Sequence, residues 1–262
     1  VTIVEFMDRI LPMVDKEITE LVRTHLESEG IVVKTGAKVT KVADKEVQYE
    51  LAGATETIKT DNVFMAVGRA PSFAGIDTEK LGIRTDRGAI VTDESLRTSV
   101  DNIYAIGDVN GRSMLAHTAS MEGIVAVENI SGGSASMNYD AIPTAIYIKP
   151  EIASVGLTEE DAIAKYGDVK VGRFPLLANG KSKVEGDERG LIKVVTEAKY
   201  GEILGVHLYC IHATDMIAEA VTAMNAEATA EDVASSIHPH PTVSEAVQEA
   251  FHAALGRAIH YR

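Results

Sequence analysis

The spacing of apolar residues changes several times along the chain, and each change predicts a different element. Short apolar runs at 1–4 and 31–33 predict two buried strands. Between them, Asp15 is placed to cap a helix and Gly30 to end it. The helical stripe consists of Ile18, Leu21, Val22 and Leu26. The order strand, helix, strand predicts half of a doubly wound α/β unit.

The period of the pattern shortens to two residues over 38–59. This alternation predicts hairpin strands with turns near Asp44 and Gly53. Two later runs, 63–67 and 103–106, are apolar at every position, and each is followed by a glycine. Both runs predict further buried strands.

After a predicted helix over 116–129, the organisation changes, because strands now come first and helices follow them. Strands are predicted at 152–156, 169–174, 191–196 and 203–209, with the last two paired antiparallel. Helices are predicted to begin near 158 and to cover 213–225, 230–236 and 242–257. This segregation predicts an α+β module.

Composition narrows the possible partners. The chain has 262 residues, enough for about two domains, and a net charge of −14, which argues against binding nucleic acid because such a protein needs a basic face. Cys210 is the only cysteine, so no disulfide can form within the chain. No apolar run is long enough to cross a membrane and no signal peptide is recognised, so we expect a cytoplasmic protein without a membrane partner.

The candidate chemistry lies in the segment 238–245, with the sequence His-Pro-His-Pro-Thr-Val-Ser-Glu. An imidazole changes charge near neutral pH, and a carboxylate on its second nitrogen would fix its tautomer, which makes a general acid/base pair. An alternative is structural, because Thr242 followed by Glu245 is also a helix capping box and both histidines could be ordinary surface residues.

Four segments in this order resemble one family, the pyridine nucleotide-disulfide oxidoreductases, and within it the dihydrolipoamide dehydrogenases most closely. The segments are Val1–Glu5 followed by 8–12, then 66–71, then 103–108, and finally 238–242 with Glu245. The resemblance implies an α/β plus α+β fold. An incomplete Rossmann-like NAD-binding domain would span 1–68, an FAD-contacting central segment 69–138, and an α+β dimerisation domain 139–262.

The resemblance also implies cofactor sites. Glu5 would hold the adenosine ribose of NAD and disfavour the 2′-phosphate of NADP, and Gly68 and Arg69 would form the turn beside the nucleotide. Asp108 would bind the ribityl chain of FAD. Residues at a helix start would face the flavin ring: Met114, Leu115, Ala116 and His117. Each has a plainer alternative, namely a charge at a strand end, a glycine that only makes a turn, or a cap.

For catalysis, the resemblance implies that His240 is the base and Glu245 its orienting partner, with His238 as a partly structural neighbour. In the family this pair acts across a homodimer interface on the other subunit's flavin and redox disulfide. The parent enzyme would oxidise dihydrolipoamide on the lipoyl domains of 2-oxo acid dehydrogenase or glycine cleavage complexes, and would reduce NAD.

The sequence departs from the family in one respect. The G-x-G-x-x-G strands and the redox cysteine pair are absent, so we expect a fragment that is inactive alone and binds neither FAD nor NAD stably. Strands 1–4 and 63–67 would then leave unpaired backbone in a buried place. Two alternatives stay open: another disulfide reductase, similar to the glutathione or mercuric reductases, or a non-catalytic dimerisation module in which Cys210 is a packed core thiol.

Overall fold

A computed structural model describes residues 1–261. Its strands are β1 (Thr2–Val4), β2 (Val32–Lys34), β3 (Lys38–Ala43), β4 (Glu46–Leu51), β5 (Ala54–Lys59), β6 (Thr85–Asp86), β7 (Ala89–Ile90), β8 (Thr144–Ile146), β9 (Glu151–Gly156), β10 (Val169–Pro175), β11 (Leu191–Glu197) and β12 (Ile203–Cys210). Its α-helices are α1 (Lys16–Ser28), α2 (Thr78–Leu81), α3 (Ala116–Ile130), α4 (Glu159–Tyr166), α5 (Gly180–Glu185), α6 (Ala213–Asn225), α7 (Ala230–Ser235) and α8 (Glu245–Ala254).

The chain divides into two compact units. One unit combines residues 1–64 with residues 143–261, and the other is 65–142. The division into three domains at 68 and 138 stays a prediction. No helix within residues 1–261 is both long and apolar enough to cross a membrane.

The first unit is built on a five-stranded antiparallel sheet with the order β10-β11-β12-β9-β8. Its central strands β11 and β12 are buried along almost their whole length. On one face, Ile152 and Tyr209 pack with Ile18 and Val22 of α1. The other face contacts α8, because Gly172 of β10 lies directly under that helix.

The predicted strands and helices of the carboxyl-terminal half are confirmed to within about three residues. The antiparallel pairing of β11 with β12 is also confirmed. The helix predicted over 242–257 begins at Glu245 and ends at Ala254, because 242–244 form a turn instead. Strand β8 was missed, since its three residues are too few to show a period.

The first half of the α/β pattern is also confirmed. Strands β1 and β2 pair in parallel, and Asp15 caps α1 by accepting the Glu17 N–H at 3.0 Å. Gly30 follows the helix with φ +85°, a conformation that favours glycine. Strands β3, β4 and β5 form the predicted antiparallel hairpins.

Two strand predictions are wrong. Residues 63–67 form no strand, and Phe64 and Val67 are 93% and 88% exposed. No strand among residues 1–261 pairs with this segment, so its apolar side chains are not buried in a sheet. The expectation that its unpaired backbone is buried is therefore also wrong. Residues 103–106 make only one bridge, between Tyr104 and Arg97, before the chain turns at Gly107.

A buried ionic cluster joins α1 to the sheet. The Nζ of Lys193, on β11, lies 2.8 Å from Asp15, 3.0 Å from Glu17 and 2.7 Å from Glu159. Arg173 on β10 bridges the same two glutamates at 2.8 and 2.7 Å. Because the side chains of Lys193 and Asp15 are 3% and 1% exposed, water cannot stabilise either charge, and each is stabilised by the other.

This mutual dependence shifts both pKa values. Burial pushes the pKa of Asp15 up, but the hydrogen bond from Lys193 and the other favourable interactions of the carboxylate, among them the Glu159 N–H, together outweigh it, and the pKa lies below the usual 3.8. Burial pushes the pKa of Lys193 down, but the bonds to Asp15 and Glu159 outweigh it and the pKa lies above the usual 10.5. The Asp15 contribution to stability is therefore present above pH 3.8 and is lost as pH falls through the lower folded value. The Lys193 contribution is present below pH 10.5 and is lost as pH rises through the higher folded value.

We predict that Lys193→Met lowers the free energy of unfolding at pH 7 by about 3 kcal/mol, because it leaves the Asp15 carboxylate buried without its cation. Urea unfolding followed by circular dichroism measures this loss. The difference from the wild type should shrink below pH 3.8, where the unfolded aspartate takes up a proton. Lys199→Met, at an exposed lysine, is the matched control and should stay within about 0.5 kcal/mol of the wild type. Equal effects of the two substitutions would refute the cluster's role.

We predict that Gly172→Ala destabilises the first unit by about 1–3 kcal/mol. A Cβ at this position would overlap the Ala250 carbonyl oxygen and lie 2.9 Å from the Ala254 Cβ, so α8 must move away from β10. Gly180→Ala is the control, because nothing lies within 4 Å of its added Cβ. Thermal unfolding of both variants tests this prediction, and an unchanged Gly172→Ala protein would contradict the observed packing of α8.

Candidate active site

The segment 238–245 lies in the first unit, between α7 and α8. The Nδ1 of His240 lies 2.9 Å from Oε1 of Glu245, the first residue of α8. The other oxygen of the same carboxylate accepts the Thr242 N–H at 2.8 Å. The start of α8 therefore supplies a carboxylate that fastens both the ring and the turn before the helix.

The predicted capping box is only half formed. Glu245 accepts the Thr242 N–H, but the Thr242 hydroxyl donates to the Pro239 carbonyl at 2.7 Å, and Ser244 is the residue that precedes α8. The structural and chemical interpretations of this segment are thus compatible, because one carboxylate orders the turn and holds the imidazole.

The geometry assigns the ring nitrogens of His240. A carboxylate accepts hydrogen bonds, so Nδ1 carries a proton and Nε2 is the basic nitrogen when the ring is neutral. The His240 side chain is 80% exposed, whereas that of Glu245 is 27% exposed. An anchored carboxylate and an accessible imidazole are the two parts that an oriented general base requires.

The pKa of Glu245 is consistent with an ionised partner. Burial pushes this pKa up, but the Thr242 N–H and the hydrogen bond with His240 outweigh burial, and the pKa lies below the usual 4.5. The carboxylate therefore stays charged at neutral pH and remains an acceptor for the ring N–H that faces it.

A second pair fixes the chain before His240. The Nε2 of His238 lies 2.9 Å from Oε1 of Glu219 on α6, and its Nδ1 lies 3.1 Å from the Ser236 carbonyl. Because both nitrogens face acceptors, this arrangement favours the doubly protonated ring. Its pKa is raised by the Glu219 bond, against the opposing effect of burial. Gln248 of α8 also donates to the Ser236 carbonyl, at 2.7 Å.

A third pair lies one turn along α8. The carboxylate of Glu249 is buried and accepts from Nδ1 of His260 at 2.6 Å. It also accepts the N–H groups of Ile259 and His260 at 3.3 and 3.2 Å. This carboxylate anchors the segment that follows α8 against the helix that carries Glu245.

In the same unit, Glu5 follows directly after β1. Its Oε1 accepts the Met7 N–H at 2.8 Å, and its main chain continues the pairing with β2 through the Lys34 carbonyl at 2.8 Å. The carboxylate is thus held at the end of a parallel strand, the end at which ligands bind in α/β sheets.

The second unit brings together two of the other predicted residues. An Nη2 of Arg69 lies 2.8 Å from Oδ2 of Asp108, and the side chains are 74% and 38% exposed. Gly68, before the arginine, has φ +107°. Asp108 lies in a short 3₁₀ turn, Gly107–Asn110.

The remaining predicted residues lie at the start of α3. Met114 and Leu115 precede the helix, and Ala116 and His117 open it. No side chain caps this end. Such an end presents backbone N–H donors, which suit the polar edge of a flavin ring. Asp108 presents a carboxylate acceptor, which suits the ribityl hydroxyls of a flavin. These residues therefore fit FAD. The sequence-based prediction did not identify the residue that holds Asp108 in place.

Sequence reasoning missed two carboxylates that support these sites, Glu219 and Glu122. Glu122 carried a signal, because it lies on the buried stripe of α3 with Thr118, Val125 and Ala126. A glutamate on such a stripe needs buried donors. Glu219 carried no such signal. Within residues 1–261, no group of three or more His, Cys, Asp or Glu side chains is arranged to hold a metal ion.

Comparisons with known proteins bear on both halves of the chain. The family model of the pyridine nucleotide-disulphide oxidoreductases matches residues 1–123, and that of the same family's dimerisation domain matches residues 142–251. The chain is 44% identical over 268 residues to a dihydrolipoyl dehydrogenase of Bacillus subtilis (strain 168), covering 100% of this chain and 56% of the relative. It is 41% identical over 272 residues to one of Corynebacterium glutamicum, covering 100% and 58%.

A solved structure is also similar, the HOCl-induced flavoprotein disulfide reductase RclA from Escherichia coli, with a TM-score of 0.84 at 29% identity over 96% of this chain and 58% of that chain. The chain thus spans somewhat more than half the length of the curated relatives that it matches. The two matched regions agree with the α/β and α+β parts of the fold, and two relatives above 40% identity cover the whole chain. The chain belongs to the pyridine nucleotide-disulphide oxidoreductase family.

Proposed function

We propose that the chain supplies the acid/base pair and the dimer interface of an NAD-linked dihydrolipoamide dehydrogenase. The observation that carries this proposal is the 2.9 Å bond between His240 and Glu245. It lies within the region matched by the family's dimerisation domain, in a chain whose listed curated relatives are dihydrolipoyl dehydrogenases.

The proposed chemistry begins with a proton transfer. Nε2 of His240 takes the proton from one thiol of dihydrolipoamide, and the resulting thiolate attacks a disulfide. One S–S bond breaks and a mixed disulfide forms, which releases a thiolate. The second substrate thiol gives its proton to the thiolate released first, and its sulfur then closes the cyclic disulfide of lipoamide and releases the other thiolate. Glu245 stabilises the imidazolium and keeps Nε2 directed outward.

The disulfide under attack must come from outside this chain. Cys210 is the only cysteine. It is fully buried, and burial raises the pKa of its thiol well above the ordinary value, so it is an inert core thiol. The chain alone therefore supplies the base but not the electron acceptor.

Residues of this chain also suit the two cofactors. Asp108, with Arg69 beside it and the start of α3, would hold FAD, and Glu5 at its strand end would accept both ribose hydroxyls of NAD and repel a 2′-phosphate. When bound, these cofactors would carry the electrons from the dithiol to the nicotinamide.

The exposed ring of His240 suits a site completed by a second copy of the chain, so we propose a homodimer. The lipoyl domains of 2-oxo acid dehydrogenase or glycine cleavage complexes would present the substrate. A second candidate function, a non-catalytic dimerisation module, is favoured by the single inert cysteine.

We predict that the isolated chain produces no NADH from dihydrolipoamide, NAD and added FAD, because it lacks a reducible disulfide. Absorbance at the NADH band measures turnover, and an intact B. subtilis relative is the positive control. Turnover by the chain alone would contradict the proposed division of roles.

A chimera tests the acid/base pair itself. In it, this chain replaces the matching 56% of the B. subtilis dihydrolipoyl dehydrogenase. We predict that His240→Gln lowers kcat/KM for dihydrolipoamide by about 10²–10⁴-fold, and that Glu245→Gln causes a smaller loss, because the base remains but loses its orientation.

The matched control for this experiment is His212→Gln. His212 forms a similar exposed pair with Glu185 at 2.8 Å but lies outside the 238–245 segment, so its loss should leave turnover unchanged. An active chimera that is indifferent to His240→Gln, or that loses equal activity with His212→Gln, would overturn the proposed role.

A further inference from the structure

The side chain of Glu122 is completely buried in the second unit. Within the described part of the chain it forms no ion pair with a lysine, arginine or histidine. A buried carboxylate without a cation is costly unless neutral donors satisfy it. This glutamate therefore depends on its hydrogen bonds, and those bonds show what it does.

Two of the three donors come from one short turn. Oε2 of Glu122 accepts the Gly107 N–H at 2.6 Å and Nδ2 of Asn110 at 3.0 Å. These are the first and last residues of the 3₁₀ turn that contains Asp108. One oxygen atom thus fastens both ends of the turn to α3.

The rest of the turn leaves little freedom. Gly107 has φ +71°, and a Cβ there would lie 3.2 Å from the Cβ of Ala119, so the turn rests directly on α3. The side chain of Asn110 is buried, and its Oδ1 accepts the Arg112 N–H at 2.9 Å. Asp108 itself makes no bond to Glu122 and faces Arg69, so its direction depends on how the turn is held.

The other oxygen of Glu122 binds Tyr139, near the carboxyl-terminal end of the second unit. Oε1 accepts the Tyr139 hydroxyl at 2.7 Å, and burial together with this bond raises the pKa of Tyr139 to about 12. Arg112 stacks over the Tyr139 ring at 5.2 Å and donates to the Thr92 carbonyl at 2.6 Å. The carboxylate thus lies at the centre of a network that joins α3 to the 107–110 turn and to Tyr139.

We propose that Glu122 is the positioning residue for Asp108: by binding both ends of the 107–110 turn, its carboxylate fixes Asp108 where it can accept the hydroxyls of a flavin's ribityl chain. This inference rests on the proposed flavin site. A glutamine can turn its carbonyl oxygen toward Gly107 and Asn110 and donate its amide to the Tyr139 hydroxyl, but a neutral amide oxygen accepts weaker hydrogen bonds than a carboxylate. A Glu122→Gln protein therefore keeps the volume of the side chain but holds the turn less firmly.

A double-mutant cycle separates positioning from general stability. FAD affinity is measured by flavin fluorescence on the chimera described above, with Glu122→Gln, Asp108→Asn and the double variant. If Glu122 acts through Asp108, Glu122→Gln weakens FAD binding by about tenfold beside Asp108 and by less than about twofold beside Asn at that position. Glu128→Gln, at an exposed position of α3, is the control and should leave the affinity unchanged.

Equal losses in both backgrounds, or none in either, would overturn the positioning role while leaving the flavin site intact. An unmutated chimera that binds no FAD would instead refute the proposed function and the positioning role with it. If Glu122→Gln does not fold, Asn110→Ala removes one of the two anchoring bonds and should give a smaller loss with the same dependence on Asp108.

A second measurement needs no flavin. In the chain itself, amide hydrogen exchange should show that Glu122→Gln lowers the protection of the Gly107 N–H while α3 stays protected. Unchanged protection at Gly107 would overturn the inference, whatever the chimera shows.

Discussion

A carboxylate that is buried or half-buried must find donors, and this chain uses that requirement to fix the segments on which its proposed chemistry depends. Glu245 holds His240 and the turn before α8. Glu122 holds the turn that carries Asp108. Asp15, with Lys193, holds α1 against the sheet. In each case an acid on a helix or at its start fastens an element that is distant in sequence or irregular in structure.

The sheet of the first unit supports this arrangement around α8. Gly172 allows the helix backbone to approach β10 closely, and the apolar face of α8 is buried over Ala246, Val247, Ala250 and Phe251. Glu245 and Glu249 lie at the edge of that face, one turn apart, and each binds a histidine. The rigid helix therefore sets the position of the carboxylate, and the carboxylate sets the orientation of the exposed ring.

Much of the fold could be predicted from the sequence, because its signals were local. Alternation, Asp15 as a cap and Gly30 as a stop identified the elements around α1, and the strands of the carboxyl-terminal sheet followed from their apolar runs. The strand prediction for 63–67 was wrong because it rested on apolar composition alone. A strand also needs a partner strand, and residues 1–261 supply none for this segment.

The site was predictable where its residues lie close in the chain. His240 and Glu245 are five residues apart, so their contact followed from one short motif. The pairing of His238 with Glu219 and of Gly107 with Glu122 spans 19 and 15 residues and arises only when helices pack, so no local pattern reveals the partner.

The central claim, that Glu245 orients His240 as a base, is tested most directly by the ring tautomer. ¹⁵N NMR of the chain, at a pH where His240 is neutral, reports which nitrogen carries the proton. The account predicts a protonated Nδ1 and a bare Nε2, and a mixture of both tautomers in Glu245→Gln. A ring protonated on Nε2, or a tautomer that Glu245→Gln leaves unchanged, would contradict it.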